Sequence, residues 1–148
     1  MVFSITFQLN HSAYHTKRAA LKSLATRACK ATLSQEGIAQ AELSVLLTDD
    51  AAIRVLNHDF RGKDKATNVL AFPSDEAGYL GDIAVSLDTT AVEAAAQNKT
   101  FEHHLTHLLV HACLHLLGHD HMKKAEAARM EKKEIAILQQ LNIKNPYL

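Results

Sequence analysis

The 148 residues contain only two cysteines, Cys29 and Cys113, too few for a disulfide framework. Both fall on apolar positions of expected helices and read as small core residues. Excess charge is missing too: Lys and Arg number 16 and Asp and Glu 16, so the net charge gives no general affinity for nucleic acid. Any such surface has to be local. No apolar run approaches the ~20 residues of a membrane helix. The partly apolar stretch from Val2 to Leu9 alternates, lacks a basic leader and is too short for a signal peptide. These absences predict a soluble, cytoplasmic chain with no membrane contact, and the length suits one domain, residues 1–148, with a real core.

The pattern predicts an α+β fold with a mixed, roughly four-stranded sheet packed with helices. Phe3, Ile5, Phe7 and Leu9 alternate with polar residues, as in a half-buried strand. A helix is expected from about Tyr14 to Gln35, with Leu21, Leu24, Ala25 and Ala28 inward and Gly37 ending it. Lys17, Arg18, Lys22, Arg27 and Lys30 decorate this helix, and no acid lies between His11 and Gln35. That run reads as a solvated face or as one wall of an anion-binding groove. Leu43 to Leu47 reads as a second strand, and Asp49 and Asp50 can cap a short helix carrying Ile53, Val55 and Leu56. Phe60 to Asn68 is expected to be a polar loop. Val69 to Phe72, closed by Pro73, and Leu80 to Val85, interrupted in character by Gly81-Asp82, read as two further strands. The rest is helical. Thr90 and Glu93 form a capping-box pattern opening an alanine-rich helix, Thr100 and Glu102 open the next, and Lys123 to Leu141 is amphipathic through Met130, Ile135, Ala136 and Leu138.

The chemistry concentrates in His111-Ala-Cys-Leu-His115-Leu-Leu-Gly118-His119-Asp120-His121. On a helix, His111 and His115 at i and i+4 leave one face with Cβ atoms ~5–6 Å apart, close enough to share a cation at ~2.0–2.1 Å from each ring. His121 comes six residues later, and an unbroken helix would turn it about 120° away. Gly118 can end the helix in a left-handed conformation and let the chain double back. His107 shares the helical face but lies ~12 Å along the axis from His115; it reads as a core histidine bonded to a carbonyl, with a place behind the ligands as the alternative. His119 is a rival for His121, placed second because it comes before the chain has fully turned. Asp120 can orient a ligand imidazole or cap the final helix. Cys113 is turned away from the metal face. Three neutral ligands leave a fourth position open, the arrangement of a catalytic site, and a cation there lowers the pKa of bound water to about 7.

H-x-x-x-H-x-x-G-x-x-H matches the metzincin protease signature but has Ala112 where that signature carries its glutamate base. A peptidase then needs a carboxylate from elsewhere, and Glu102 and Glu126 are nearest in sequence. A phosphodiester depends less on such a base and more on stabilised negative charge. Arg61, beside Gly62, Lys63 and Lys65, is the candidate guanidinium; the alternative is a solvent-exposed arginine.

The same motif, HACLHLLGHDH, resembles H-G-x-L-H-L-x-G-Y-D-H of the YbeY family, bacterial endoribonucleases of ribosomal RNA maturation. RGKDKATNVLAFP, from Arg61 to Pro73, is similar to that family's R-G-K-D-K-P-T-N-V-L-S-F-P; Leu80-Gly81-Asp82-Ile83 and Asn145-Pro146-Tyr147 also fit. The resemblance implies a zincin-like fold and one zinc ion on His111, His115 and His121, although three imidazoles also suit nickel, copper or iron. It implies single-strand-specific RNA cleavage, maturation of 16S ribosomal RNA at its 3′ end, and ribosome quality control. The implied partners are single-stranded rRNA, the small ribosomal subunit and its assembly factors, and Arg61 becomes a catalytic or phosphate-binding residue. Four positions depart from the pattern: Ala112 for glycine, His119 for tyrosine, Ala66 for proline and Ala71 for serine. The competing expectations are a metzincin-like zinc peptidase and a non-catalytic ribosome-assembly factor with a structural metal.

Overall fold

The computed structural model describes residues 2–148. In chain order, β1 (Val2–Leu9) leads through a 3-10 segment (Ser12–Lys17) into α1 (Arg18–Gln35), followed by β2 (Gln40–Thr48), α2 (Asp50–Arg61), β3 (Val69–Pro73), β4 (Tyr79–Ser86), α3 (Leu87–Ala96), α4 (Phe101–Leu116) and α5 (Lys124–Gln140). The sheet order is β1-β2-β4-β3. The first two pairings are parallel and the β3–β4 pairing is antiparallel. Each parallel pairing requires a crossover; α1 supplies the first, α2 and β3 the second. The expected mixed four-stranded α+β architecture is therefore present.

Side-chain alternation divides the core between the two sheet faces. Leu43, Val45, Leu47, Ala71, Ile83 and Val85 join the main core with α1, α4 and α5. Leu70 and Ala84, with Leu46 and Phe72, point the other way and pack on Ile53 and Leu56 of α2. Cys29 and Cys113 are both free and fully buried, as expected of core residues. Their thiols are hydrogen-bonded, and that bond, together with burial, pushes the Cys29 pKa up. No helix among the described residues is long and apolar enough to cross a membrane.

Capping residues set the helix boundaries, and here the structure both follows and corrects the sequence reading. Gly37 ends α1 at φ +74°, with Ile38 N–H on Leu33 C=O at 2.9 Å. The expected start at Tyr14 falls in the 3-10 segment, so α1 itself begins four residues later, at Arg18. Asp49 caps α2 through Ala52 N–H at 2.9 Å. Phe60 and Arg61 are not loop residues: α2 continues to Arg61 and stops at Gly62, φ +69°. The Thr90–Glu93 pattern opens no helix. Ser86, the last residue of β4, caps α3 through Thr89 N–H, and Thr90 is buried inside, its hydroxyl on the Ser86 carbonyl at 2.7 Å. Along α5 the buried residues are Met130, Glu134, Ile137 and Leu138, while Ile135 and Ala136 are half-buried. An acid in the apolar row masks the row's phase in the sequence.

Gly81 has a specific role. The β2–β4 register slips by one residue between Glu42 and Leu43, opposite Leu80, and Gly81 adopts φ +139°. A Cβ there would lie 2.2 Å from the Phe72 carbonyl oxygen and 3.0 Å from Leu116 Cδ2. Only glycine lets the strand, its bulge and α4 approach this closely.

Candidate metal centre

Thr100 starts α4 by accepting His103 N–H at 3.1 Å. Gly118 ends it at φ +96°, with Gly118 N–H on His115 C=O and His119 N–H on Leu114 C=O. These two bonds reverse the chain as the glycine spacing predicts. His121 returns to the face that carries His111 and His115. His115 Nε2 lies 3.1 Å from His111 Nε2 and 3.1 Å from His121 Nδ1. Among the described residues, these three form the cluster whose ligand atoms all fall within 4.8 Å of one another. Tetrahedral ligands ~2.0–2.1 Å from one ion stand about 3.3 Å apart, so the donor set fits a transition metal. Burial, then the His111 and His121 rings, lower the His115 pKa; Asp120 and a hydrogen bond to the His119 backbone oppose them. The net effect favours the neutral, ligating imidazole.

Glu134, the acid the sequence reading passed over, lies behind the ligands. It is 1% exposed. Its Oε1 accepts from His107 Nε2 at 2.6 Å and from the Tyr147 hydroxyl at 3.0 Å, and lies 3.4 Å from His111 Nδ1. Burial raises its pKa, but the bonds from His107 and His111 outweigh it and hold the carboxyl at about 2. An ionised carboxylate can only accept, so His111 presents its proton at Nδ1 and its lone pair at Nε2, toward the other two ligands. His107 is therefore a support behind a ligand, not a histidine bonded to a carbonyl. The signal was readable: Glu134 sits on the i, i+4, i+7, i+8 row with Met130, Ile137 and Leu138, where an unpaired acid has no place.

The remaining candidates separate cleanly. His119 pairs with Glu36, which also accepts from Lys133 at 2.9 Å, so His119 ties the metal turn to α1 and α5 instead of joining the ligands. Asp120 accepts its neighbour's backbone N–H, that of His121, at 2.7 Å. It caps no helix: the N-cap of α5 is Lys123, with no side-chain cap bond.

The ligands open into a cleft of about 1000 Å³ lined also by Arg61, Lys63, Asn68, Ala71 and Glu93. Arg61, in the last turn of α2, donates from Nη2 to the Ala71 carbonyl at 2.8 Å on the edge strand β3, and its guanidinium lies 5.6 Å from the Phe72 ring centroid. The Glu93 carboxylate is held by His104 Nε2 at 2.9 Å and Asn68 Nδ2 at 3.1 Å. Neither Glu102 nor Glu126 lines the cleft; Glu102 borders a separate hollow with Arg27. Glu134 reaches the ligands from their rear, and Ala112 is 1% exposed. The position where a metzincin carries its glutamate is Ala112, and the carboxylates that line the cleft are Glu93 and Asp120.

The chain is similar to known proteins along most of its length. The sequence profile of the family described as Endoribonuclease YbeY matches residues 6–142. The chain is 50% identical over 135 residues to the Endoribonuclease YbeY of Chelativorans sp. (strain BNC1), covering 86% of this chain and 83% of that one. It is 48% identical over 126 residues to the protein of the same name from Rhodopseudomonas palustris (strain BisB18), covering 79% and 75%. Among solved structures it resembles the solution structure of TM1509 from Thermotoga maritima, with a TM-score of 0.62, 26% identity, and coverage of 93% and 91%.

Proposed function

Because this chain belongs to the Endoribonuclease YbeY family, we propose that residues 1–148 act as one metal-dependent endoribonuclease domain cutting single-stranded RNA. Its setting is the cytoplasm, its task maturation of the 3′ end of 16S ribosomal RNA and ribosome quality control. Its partners are the small ribosomal subunit and the factors that assemble it. One observation carries the reading: three imidazole nitrogens and a guanidinium share one cleft, and Ala112 stands where a metzincin carries its glutamate.

His111, His115 and His121 hold the ion, taken to be zinc, whose chemistry when bound is Lewis-acid stabilisation of charge and activation of water. The chain's own part is placement. Glu134 fixes the His111 tautomer. Arg61, held against β3 by the Ala71 carbonyl, keeps further guanidinium donors for a phosphoryl oxygen as charge develops on it. A peptidase is disfavoured because Ala112 replaces the glutamate base of its motif.

The test is cleavage of a labelled single-stranded RNA by wild type, His115→Ala and Arg61→Ala, purified in parallel. Wild type cuts and chelation stops it; His115→Ala does not cut. Arg61→Ala keeps fold and metal and loses about 10²–10³ in kcat, as removal of one charge-stabilising donor does. Equal cutting by wild type and His115→Ala would assign the activity to a contaminant, and full activity of Arg61→Ala would remove Arg61 from the chemistry.

A further inference from the structure

The outer face of α1 carries charge that the cleft does not use. Residues 12–35 hold five of the chain's 16 Lys and Arg side chains (Lys17, Arg18, Lys22, Arg27 and Lys30) and none of its 16 acids, in a protein of zero net charge. All five are exposed, opposite the buried row of Leu21, Leu24, Ala25, Ala28, Cys29 and Leu33. Among the described residues, the ion pairs of Lys and Arg are Arg54–Asp64 and Lys133–Glu36, so no α1 cation is neutralised by a carboxylate.

A merely solvated helix face mixes signs, because opposite charges at i, i+4 stabilise it and like charges do the reverse. Here Arg18 and Lys22 are like charges at i, i+4, and Arg27 and Lys30 at i, i+3. Lys17 and Arg18 also sit at the N-terminus of α1, where the helix dipole favours acids and none is present. The charge is kept against the helix's own electrostatics. Arg18, Lys22 and Lys30 share one i, i+4 row about 18 Å long. The far end of that helix abuts the metal turn, since Glu36 at its C-cap bonds both His119 and Lys133. Lys30 is the end of the row nearer that turn, about 9 Å along the axis from Glu36.

We propose that the exposed face of α1 is an RNA-binding surface separate from the cleft, pairing its cations with the sugar-phosphate backbone of the strand beyond the cut site. This rests on the reading of RNA as substrate. It assigns α1 affinity without base specificity, since lysines and arginines meet phosphates as charges.

The experiment uses the whole chain. Binding of a long and a short fluorescent single-stranded RNA is measured against salt under chelation, which prevents cutting, for wild type, a Lys17→Gln/Lys22→Gln/Lys30→Gln variant and the corresponding triple lysine-to-arginine variant. Each lost phosphate contact lowers the log–log salt slope by ~0.7 on a single strand, so the glutamine variant is expected to lose about 2 on the long RNA. Its affinity for the long RNA falls roughly tenfold or more at low salt. Short-RNA cleavage with metal restored is unchanged, and the arginine variant behaves as wild type. An unchanged slope on the long RNA, or an equal loss on the short one, overturns the proposal. If the slope changes as expected but no RNA is cut, the nuclease reading fails and the surface stands.

Discussion

Replacing Glu134 by Gln keeps the side chain's shape and removes its charge, so it tests whether the buried carboxylate sets the metal site. Glu134 is 1% exposed and accepts from His107 and Tyr147, with His111 Nδ1 at 3.4 Å. All three contacts fall on Oε1, so an amide oxygen there keeps them without the charge that holds the His111 proton at Nδ1, and an amide turned the other way sets its NH₂ against all three donors. Where the NH₂ faces His111, the ring proton moves to Nε2, which then cannot ligate. Partners of this kind behind a ligand contribute about 10–100-fold in metal affinity. The assay is competition for zinc with a chelating dye at neutral pH. A second reading comes from the metal-free proteins unfolded in denaturant at several pH values. The Glu134 pKa is lowered from its ordinary 4.5 to about 2. The stabilisation is therefore complete above about 4.5 and is lost as pH falls through about 2; it is worth on the order of 3 kcal/mol. Glu134→Gln is less stable at neutral pH by that order and loses this share of the acid dependence. Wild-type zinc affinity in Glu134→Gln would refute the claim that this carboxylate orients His111. A wild-type pH profile would refute the assignment of acid sensitivity to it.

Three further outcomes are expected. His115→Ala loses the metal yet keeps a cooperative thermal transition by circular dichroism, because α4 buries Leu105, Leu108, Leu109 and Leu114 independently of the ligands; loss of the transition would make the metal a structural staple. Tyr147→Phe, which removes one donor from Glu134, lowers zinc affinity by less than the glutamate change, about 10-fold at most; a larger loss would put the phenol closer to the metal's control than its 3.0 Å bond to Glu134 implies. Gly81→Ala lowers stability by more than about 2 kcal/mol, from backbone strain and overpacking together, in chemical denaturation; a neutral change would mean the bulge yields easily.

Much of this was written plainly in the sequence. Strand alternation through Phe3 to Leu9, the end of α1 at Gly37 and the reversal at Gly118 depend on local rules, and the structure follows them. The cluster of His111, His115 and His121 was legible because one short segment carries all three. Residues whose meaning depends on a distant partner were not. Glu134 becomes intelligible only when α5 lies against α4, where it meets His107, 27 residues earlier. His119 looked like a possible ligand because Glu36, its partner, is 83 residues away. Thr90 and Glu93 match a capping box, but β4 ends in a serine that caps α3 four residues earlier.

Gly81 acts as a gauge. A single added methyl would press on the Phe72 carbonyl of β3 at 2.2 Å and on Leu116 of α4 at 3.0 Å. One residue before Phe72 is Ala71, whose carbonyl holds Arg61; one before Leu116 is His115. Bulk at Gly81 would therefore push on the strand that holds Arg61 and on the helix that carries His115, from outside the cleft's own lining. A displacement of about 1 Å between reacting groups can cost about 100-fold in rate. Changes near Gly81 would detune the enzyme without substituting any residue of the cleft.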